Sequence, residues 1–378
     1  MATITSPKSR IVTDSNMNPS PLLKMTQTTP TCLWNDSAAE TELLYSISHG
    51  ATGATCNPVI VLDVLKKEKV LWDKRVLGLV QEMPGATEEE IAWRLVEEIS
   101  ATRAGLLQSI FERHQGRNGR LSIQTDPRYY RSESKLLQQA IRFESIAPNM
   151  IIKLPATEAG ILAMESATAL GISINATVCF TVSQCLAVAE AVEAGLKARE
   201  SGGKSISNMG PVCTIMVGRL DDWLKVVAEN EDIVIDPGYF EWAGVAVFKK
   251  AYKIFKERGY RLRLLSAAFR NHRHWSELIG GDVVISPPFK WQVRFNSSDI
   301  EAVSRIDVPV DVKIVDTLLG KFSEFRRAYS EEELPIREFD SFGPTVRTLR
   351  QFLTATHGLA TYVRELMLPD PDFKPPRP

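Results

Sequence analysis

Eight short apolar or β-branched runs alternate with helical patterns along most of this 378-residue chain. Turn or polar residues end the runs, and segments with the apolar spacing of amphipathic helices separate them. Strands that alternate with helices predict a parallel sheet, and eight parallel strands close into a barrel. The sequence therefore predicts an α/β fold, a (β/α)8 TIM barrel with extra C-terminal helices. The candidate strands are 32–34, 52–56, 120–124, 150–154, 172–175, 212–217, 263–267 and 283–285.

The barrel is predicted to be a single domain over residues 30–368, since no linker-like stretch divides this part of the chain. Residues 1–29 are rich in Ser, Thr, Pro, Asn and Met, a composition that predicts a disordered N-terminal tail. Residues 369–378 are predicted to form a flexible tail. Helical patterns near 315–329 and 345–365 are expected to pack on the outside of the barrel.

Charge and cysteine content narrow the classes of partner. Forty-five basic residues against forty-six acidic ones give a net charge of −1, so we expect no nucleic-acid or membrane partner, and any anion site must be local. No apolar run approaches the roughly 18 residues that a membrane span requires. The five cysteines are odd in number and form no CxxC pair, which favours reduced thiols in the interior and a cytoplasmic location.

One candidate strand runs into a lysine. Three large apolar residues, 150–152, precede Lys153, and Pro155 then stops the segment. Burial can lower the pKa of a lysine by roughly 3–5 units, which leaves a free amine near neutral pH. Such an amine can attack a carbonyl and form a Schiff base. The alternative is a lysine at a strand end whose side chain reaches solvent.

Polar residues follow seven successive candidate strands. In a (β/α)8 barrel the active site lies where the strands end, at their carboxyl side. Polar residues at seven such ends predict a shared cavity and favour a buried lysine over a solvated one. They are Asp36, Asn57, Gln124 with Asp126, Lys153, Asn175 with Thr177, Arg219, and Arg270 with Asn271.

Five motifs occur in the order of a known family. They are Gly53-Ala54-Thr55-Cys56-Asn57-Pro58, Ile151 to Thr157, Asn175-Ala176-Thr177, Val217-Gly218-Arg219 with Asp222-Trp223, and Ala267 to Asn271. Through these motifs the chain resembles transaldolase, a class I aldolase on a (β/α)8 barrel. The resemblance runs from about Leu33 to Leu366, and it implies a Schiff base at Lys153 with the ketone of a sugar. It also implies that neither a cofactor nor a metal is used.

The resemblance implies roles for further residues. Asp36 would be the general acid/base, although a turn or helix-cap aspartate is the alternative. Thr177 would help hold a catalytic water. Asn57 and Asn175 would bind substrate hydroxyls, although an asparagine before Pro58 is also ordinary turn chemistry.

Arg219 and Arg270 match the family's phosphate-binding arginines. A guanidinium can donate two parallel hydrogen bonds to a phosphate. Two convergent arginines would supply the local positive site that a nearly neutral protein otherwise lacks. Either arginine could instead be a surface residue.

Four positions depart from the resembled pattern. Gln124 stands where transaldolases carry glutamate, although the related fructose-6-phosphate aldolases also have glutamine there. An amide can position a water but cannot accept its proton at neutral pH. Thr214 and Ala268 each replace a serine, and Met216 replaces the usual aromatic residue. We therefore expect an altered water network and an altered anion end, with all four residues lining the substrate pocket.

Three functional hypotheses follow. The favoured one is a divergent Schiff-base enzyme for aldol-type carbon–carbon chemistry or a related iminium reaction. Its carbonyl substrate would be a sugar phosphate or an analogue that need not be one of the usual sugar phosphates. The second is a transaldolase that transfers a dihydroxyacetone unit between sugar phosphates in the pentose phosphate pathway. The third is a non-catalytic barrel with a binding or regulatory role. Dimers are common among resembling proteins, so a homodimer is a further expectation.

Overall fold

The computed structural model describes residues 19–372 of the chain. Eight parallel strands form one closed barrel in sequence order, and the last strand pairs with the first. This arrangement confirms the predicted fold class. The strands are β1 Cys32–Asn35, β2 Ala51–Thr55, β3 Arg120–Gln124, β4 Met150–Pro155, β5 Ile174–Cys179, β6 Val212–Ile215, β7 Arg263–Ser266 and β8 Val284–Ile285.

Helices surround the barrel and continue beyond it. Several begin directly after a strand with a capping side chain, as where Thr157 Oγ1 accepts a hydrogen bond of 3.1 Å from the Gly160 amide. The helices are α1 Pro21–Thr28, α2 Glu40–Ser48, α3 Pro58–Lys67, α4 Lys69–Glu82, α5 Glu88–Arg113, α6 Glu133–Glu144, α7 Glu158–Leu170, α8 Val182–Ser201, α9 Val217–Asn230, α10 Ala243–Arg258, α11 Arg273–Ser276, α12 Phe289–Asn296, α13 Val312–Lys321, α14 Ser323–Tyr329 and α15 Gly343–Met367. Within residues 19–372, none of the helices combines the length and apolar character that crossing a bilayer demands.

A small apolar layer fills the inside of the barrel. It is separate from the larger core between barrel and helices, and its buried members are Trp34, Ile151, Val212, Leu265, Ala267 and Val284. A Cβ at Gly53 would lie 2.5 Å from the Trp34 ring, so the absence of a side chain at Gly53 makes room for the indole. Because alternate residues of a strand share a face, side chains two positions later point into the same interior, nearer the open end. The apolar layer is therefore the floor of any site at that end.

The structure corrects two boundaries. The predicted disordered tail, 1–29, is wrong for Pro21–Thr28, which form α1, with Leu22 and Met25 fully buried; residues 1–18 lie outside the described part. Strand β6 ends at Ile215 rather than at the predicted Val217, because Val217 is the first residue of α9. Arg219 consequently lies in the first turn of a helix. Of the predicted C-terminal tail, residues 373–378 also lie outside the described part.

The last helix, α15, does not pack only on the outside of the barrel as expected. It contacts α3 and α5 near β2, and also α9, which follows β6 on the opposite side. It contacts β5 as well, and Thr348 accepts a hydrogen bond from Arg219. A helix with these contacts runs across the carboxyl end of the barrel.

Candidate functional site

Lys153 lies inside the carboxyl end of the barrel and is only 4 % exposed. Burial lowers the pKa of its amine below the usual 10.5, the Asp36 carboxylate opposes this shift, and the Arg219 charge adds to it. Burial raises the pKa of the neighbouring Cys56 thiol to about 11, so this thiol adds no negative charge at neutral pH. The structure thus places Lys153 where desolvation favours the free amine, and not in bulk water.

Three polar side chains share one level of the barrel. Lys153 on β4 pairs in register with Gln124 on β3 and with Asn175 on β5. Lys153 also follows Ile151 of the apolar layer by two residues. The amine is therefore flanked on both sides by primary amides that can hydrogen-bond to a substrate or a water.

Asp36 stands directly beyond β1, two residues after Trp34 of the apolar layer. It is half-buried, and the Thr55 hydroxyl donates a hydrogen bond of 2.5 Å to its Oδ1. This contact fixes one carboxylate oxygen and leaves the other for a reacting group. The turn or helix-cap alternative does not describe this geometry, since the observed partner lies on the neighbouring strand.

Asn175 is held by hydroxyls on both sides. Thr214 Oγ1 donates to Asn175 Oδ1 at 2.7 Å, and Asn175 Nδ2 donates to Ser122 Oγ at 2.9 Å. All three side chains are buried. These bonds fix which end of the amide faces which neighbour and leave one N–H of Asn175 for a substrate hydroxyl.

Three buried oxygens near the open end have no hydrogen-bond partner in the described part of the chain: Gln124 Oε1, Thr177 Oγ1 and Ser286 Oγ. Buried polar atoms are nearly always paired, so these atoms suit a water or a substrate oxygen. Ser286 was not predicted as a site residue. Its signal was the spacing, because Ser286 follows the interior residue Val284 by two positions, as Lys153 follows Ile151.

Backbone strain lies beside the site. Val178 and Ala268 have φ values of 55° and 63°, and a β-branched residue such as Val178 rarely adopts a positive φ. Val178 falls within a register shift of β5, directly after Thr177, and Gln184 donates a hydrogen bond of 3.1 Å to its carbonyl. Ala268 lies two residues before Arg270. Strain of this kind is common at functional sites, and here it lies directly beside Thr177 and two residues before Arg270.

Arg219 and Arg270 lie together at the mouth of the barrel. Burial, followed by repulsion from Arg270, lowers the pKa of Arg219 to about 10. Arg270 Nε donates to Asp222 Oδ2 at 2.8 Å, and its NH1 group donates to the carbonyls of Ala268 and Phe269. These bonds hold Arg270 in place. Ala268 thus contributes a carbonyl to the arginine and offers no hydroxyl to an anion.

A buried histidine fixes the backbone of Arg270. The Arg270 amide donates to His274 Nδ1 at 3.1 Å, which makes Nε2 the protonated nitrogen, and Nε2 lies 2.8 Å from Asp221 Oδ2. His274 and Asp221 are fully or almost fully buried. The pair ties the β7 end to α9 and so sets the relative position of the two arginines.

Three predicted positions have other or additional contacts. Asn57 caps α3, where its Oδ1 accepts a hydrogen bond of 3.0 Å from the Ile60 amide, so the turn chemistry expected of it is present and its N–H groups remain for a ligand. Met216 is 7 % exposed and directly precedes α9. Asp126 forms an ion pair with Arg128, which therefore occupies its carboxylate.

Three buried thiols meet outside the site. Cys179 Sγ lies 3.5 Å from that of Cys185 and 4.0 Å from that of Cys213. They belong to the core between barrel and helices rather than to the layer inside the barrel. Their spacing along the chain forms no recognisable motif, so the cluster is not predicted from the sequence.

The fold and the site define a (β/α)8 barrel with a buried amine, a neighbouring carboxylate and an arginine pair at its open end. The family model of transaldolase/fructose-6-phosphate aldolase matches residues 33–310. The chain belongs to this transaldolase/fructose-6-phosphate aldolase family, as the resemblance implied. Membership supports an enzyme of the aldolase and transferase kind.

Named relatives are similar over part of their length. A transaldolase of Mycolicibacterium smegmatis is 32% identical over 221 residues, which are 57% of this chain and 58% of the relative. Transaldolases of Mycobacterium ulcerans and Mycobacterium tuberculosis are 30% and 32% identical over 211 and 210 residues, 54% of this chain and 55% of each relative. The matched region thus spans little more than half of these relatives.

Proposed function

We propose that this protein is a Schiff-base aldolase or transaldolase that acts on a ketose phosphate or a related carbonyl compound. The observation that carries the proposal is the amine of Lys153. It is buried, its pKa is lowered, and it lies close enough to Asp36 and Arg219 for both charges to act on it. A buried amine of this kind is the nucleophile that carbonyl chemistry requires.

In the proposed reaction, the free amine of Lys153 attacks the ketone carbon, and the resulting carbinolamine loses water to give an iminium ion. The positive nitrogen then accepts the electrons of the carbon–carbon bond between the α and β carbons, counted from the iminium carbon, as that bond breaks. Asp36 takes the proton from the hydroxyl whose oxygen becomes the departing aldehyde. The fragment left on Lys153 is an enamine.

The enamine has two fates in this scheme. Attack on a second aldehyde forms a new carbon–carbon bond, and Asp36 returns its proton to the new hydroxyl. Alternatively, a water protonates the enamine carbon and takes the proton that Asp36 holds, and the cycle then ends as a cleavage. In both cases water hydrolyses the iminium and restores Lys153.

Gln124 and Thr177 are proposed to hold the water that enters and leaves with the carbinolamine. Their buried, unpartnered oxygens support this role. Gln124 can orient a water but cannot take its proton, so the steps that form and hydrolyse the iminium should be slower than in an enzyme with glutamate there. Asn57 and Asn175 are proposed to bind substrate hydroxyls, beside Thr214 and Met216, and Arg219 and Arg270 a phosphate.

A transaldolase of the ordinary kind is the second candidate. The relatives above carry that name, and the matched region includes Lys153, Asp36 and both arginines. The two candidates differ in whether sugar phosphates are turned over at typical enzyme rates, on the order of 1–10³ s⁻¹.

Borohydride trapping tests the proposal. The protein is incubated with fructose 6-phosphate, fructose or dihydroxyacetone, reduced with borohydride, and mapped by peptide mass spectrometry. We expect an adduct at Lys153 that is absent in Lys153→Met, while Lys197→Met, at a lysine of α8 outside the site, keeps it. With fructose 6-phosphate, a three-carbon adduct shows that the bond has been cleaved. The absence of an adduct with all three compounds would contradict the proposal and favour a non-catalytic barrel.

A further inference from the structure

The anion end of the site is built partly by α15, which lies beyond the region that the family model matches. A cavity of about 320 Å³ opens beside the two barrel arginines. One wall comes from α9 and the segment after β7, and the other from the first turns of α15. Its lining residues are Arg219, Asp222, Arg270, Pro344, Arg347, Thr348 and Gln351.

The start of α15 is docked tightly on α9. A Cβ at Gly343 would lie 2.1 Å from the indole of Trp223, so only a glycine lets the helix begin this close. The guanidinium of Arg347 lies over the same indole, 5.9 Å from the ring centroid. Trp223, Asp222 and Arg219 all belong to α9. The packing therefore places Arg347 across the cavity from the barrel arginines.

Positive charge in this cavity exceeds negative charge. Three guanidinium groups face one carboxylate, that of Asp222. Among the described residues, Asp222 forms an ion pair with Arg270 but not with the other two arginines. Arg219 makes a hydrogen bond of 3.3 Å to Thr348, but its Nε is buried without a partner within residues 19–372. Repulsion from Arg270 and Arg347 helps to lower the pKa of Arg219. Like charges that converge in this way are stabilised by an anion between them.

The helix ends add to this field. The first turns of both α9 and α15 line the cavity, and the amino-terminal end of a helix carries a partial positive charge and free N–H groups. Thr348 accepts its hydrogen bond from Arg219, so its hydroxyl proton is free to donate to a ligand. Together these groups supply the donors that Ala268, which has no hydroxyl, does not.

We propose that Arg347, assisted by Thr348 and Gln351, is a substrate-binding residue that selects for a phosphate dianion on the carbonyl substrate. This inference rests on the proposed function and deepens it, because it makes a phosphorylated compound the preferred substrate. Arg347 is exposed, so its long side chain can turn from the indole towards the phosphate when the substrate enters. Helix α15 is then part of the substrate site as well as a cover for the barrel.

The first test measures binding of inorganic phosphate by calorimetry. Arg347→Ala should weaken phosphate binding about tenfold or more, since a charge-assisted hydrogen bond is lost. Arg347→Lys keeps the charge but not the forked geometry, so its affinity for phosphate should lie between those of wild type and Arg347→Ala. The matched control is Arg350→Ala, an exposed arginine of the same helix that does not line the cavity, and it should stay within about twofold of wild type. Circular dichroism verifies that each variant is folded.

The second test separates this inference from the proposed function. At subsaturating concentrations, Arg347→Ala should reduce trapping of fructose 6-phosphate at Lys153 about tenfold and leave trapping of dihydroxyacetone unchanged. Suppose that wild type traps both compounds, and that Arg347→Ala matches wild type both in trapping of fructose 6-phosphate and in binding of inorganic phosphate. The inference is then overturned, while the proposed function stands. If wild type traps neither compound, the proposed function fails, and with it the selection for a phosphorylated carbonyl substrate.

Discussion

The amine end and the anion end of this site are built in different ways. The amine end lies inside the closed barrel, where Gln124, Lys153 and Asn175 are neighbours in strand register. The anion end lies at the mouth, where Arg219 and Arg347 come from two helices that pack on each other. Strand pairing thus positions the residues of the amine end, whereas helix docking positions those of the anion end.

The two ends also differ in how their polar groups are satisfied. Around the amine, hydroxyls and amides bond one another, as Ser122, Asn175 and Thr214 do. At the mouth, charges of one sign collect with a single carboxylate, Asp222, among them. The first arrangement fixes the positions of these side chains in the absence of substrate. In the proposed function, the negative charge of the substrate completes the second arrangement. Changes at the amine end should therefore affect kcat, and changes at the anion end should affect KM.

The largest expected effect is at the amine end. Asp36→Asn removes the proposed proton acceptor and should lower kcat by about 10²- to 10⁴-fold, the usual contribution of a general acid or base. Trapping at Lys153 should persist, since the amide leaves the amine in place. Steady-state kinetics and adduct mapping measure the two effects.

Asp63→Asn, at an exposed carboxylate of α3, is the control for this change and should leave kcat unaltered. A kcat for Asp36→Asn within about threefold of wild type would remove Asp36 from the mechanism.

At the anion end, Arg219→Met should raise KM for a phosphorylated ketose about 10- to 100-fold with a smaller change in kcat. The reason is the loss of charge-assisted hydrogen bonds worth about 1.5–3 kcal/mol. Lys225→Met, which removes an exposed charge from the same helix, should change KM little. Equal KM values for phosphorylated and unphosphorylated ketoses in wild type would show that the cavity does not select phosphate.

A smaller change tests the water network between the two ends. Gln124→Glu restores a group that can accept a proton, so iminium formation, followed by rapid-quench borohydride trapping, should become faster by about tenfold. This effect is smaller than the rate enhancement of about 10²- to 10⁴-fold that a general base usually contributes. An unchanged or lower trapping rate would mean that the Gln124 amide is sufficient for iminium formation, as in a site adapted to glutamine.

The smallest expected effect concerns stability. The pKa of Lys153 is lowered in the folded protein, so the unfolded chain binds its proton more tightly, and protonation favours unfolding. Lys153→Met removes this penalty and should raise the free energy of unfolding at neutral pH by about 1 kcal/mol. The gain should be present at acidic and neutral pH and should vanish above the usual lysine pKa of 10.5. Urea titrations at several pH values measure it, and a destabilised variant at neutral pH would contradict the buried-amine account.

The sequence was most informative where one strand decides the outcome. Ile151 and Lys153 share the inward face of β4, so an alternating pattern is enough to place the amine above an apolar layer. The same pattern could have revealed Ser286, but β8 has only two residues and gives a weak signal. Helix α1 was missed because its composition resembles a tail, and burial of Leu22 and Met25 overrides that preference.

The anion end could be predicted only in part. Arg219 and Arg270 follow β6 and β7, where the motif order places them. Arg347 lies on a helix that contacts α3, α5 and α9, and no local period reports contacts between elements so far apart in the chain. Gly343 leaves room for the Trp223 indole. In the sequence alone it is an ordinary residue at a helix start, and only the packing reveals this role. Long-range helix docking is therefore the part that the sequence did not predict.

The most direct test of a single site with two ends is a crystal structure of Asp36→Asn incubated with fructose 6-phosphate and reduced with borohydride. Cleavage should be about 10²- to 10⁴-fold slower in this variant, so the trapped sugar should keep its phosphate. We expect a covalent bond from Lys153 Nζ to the sugar and the phosphate within hydrogen-bond distance of the Arg219 and Arg270 guanidinium groups. An adduct on another lysine, or a phosphate that lies outside the arginine cavity, would contradict the account.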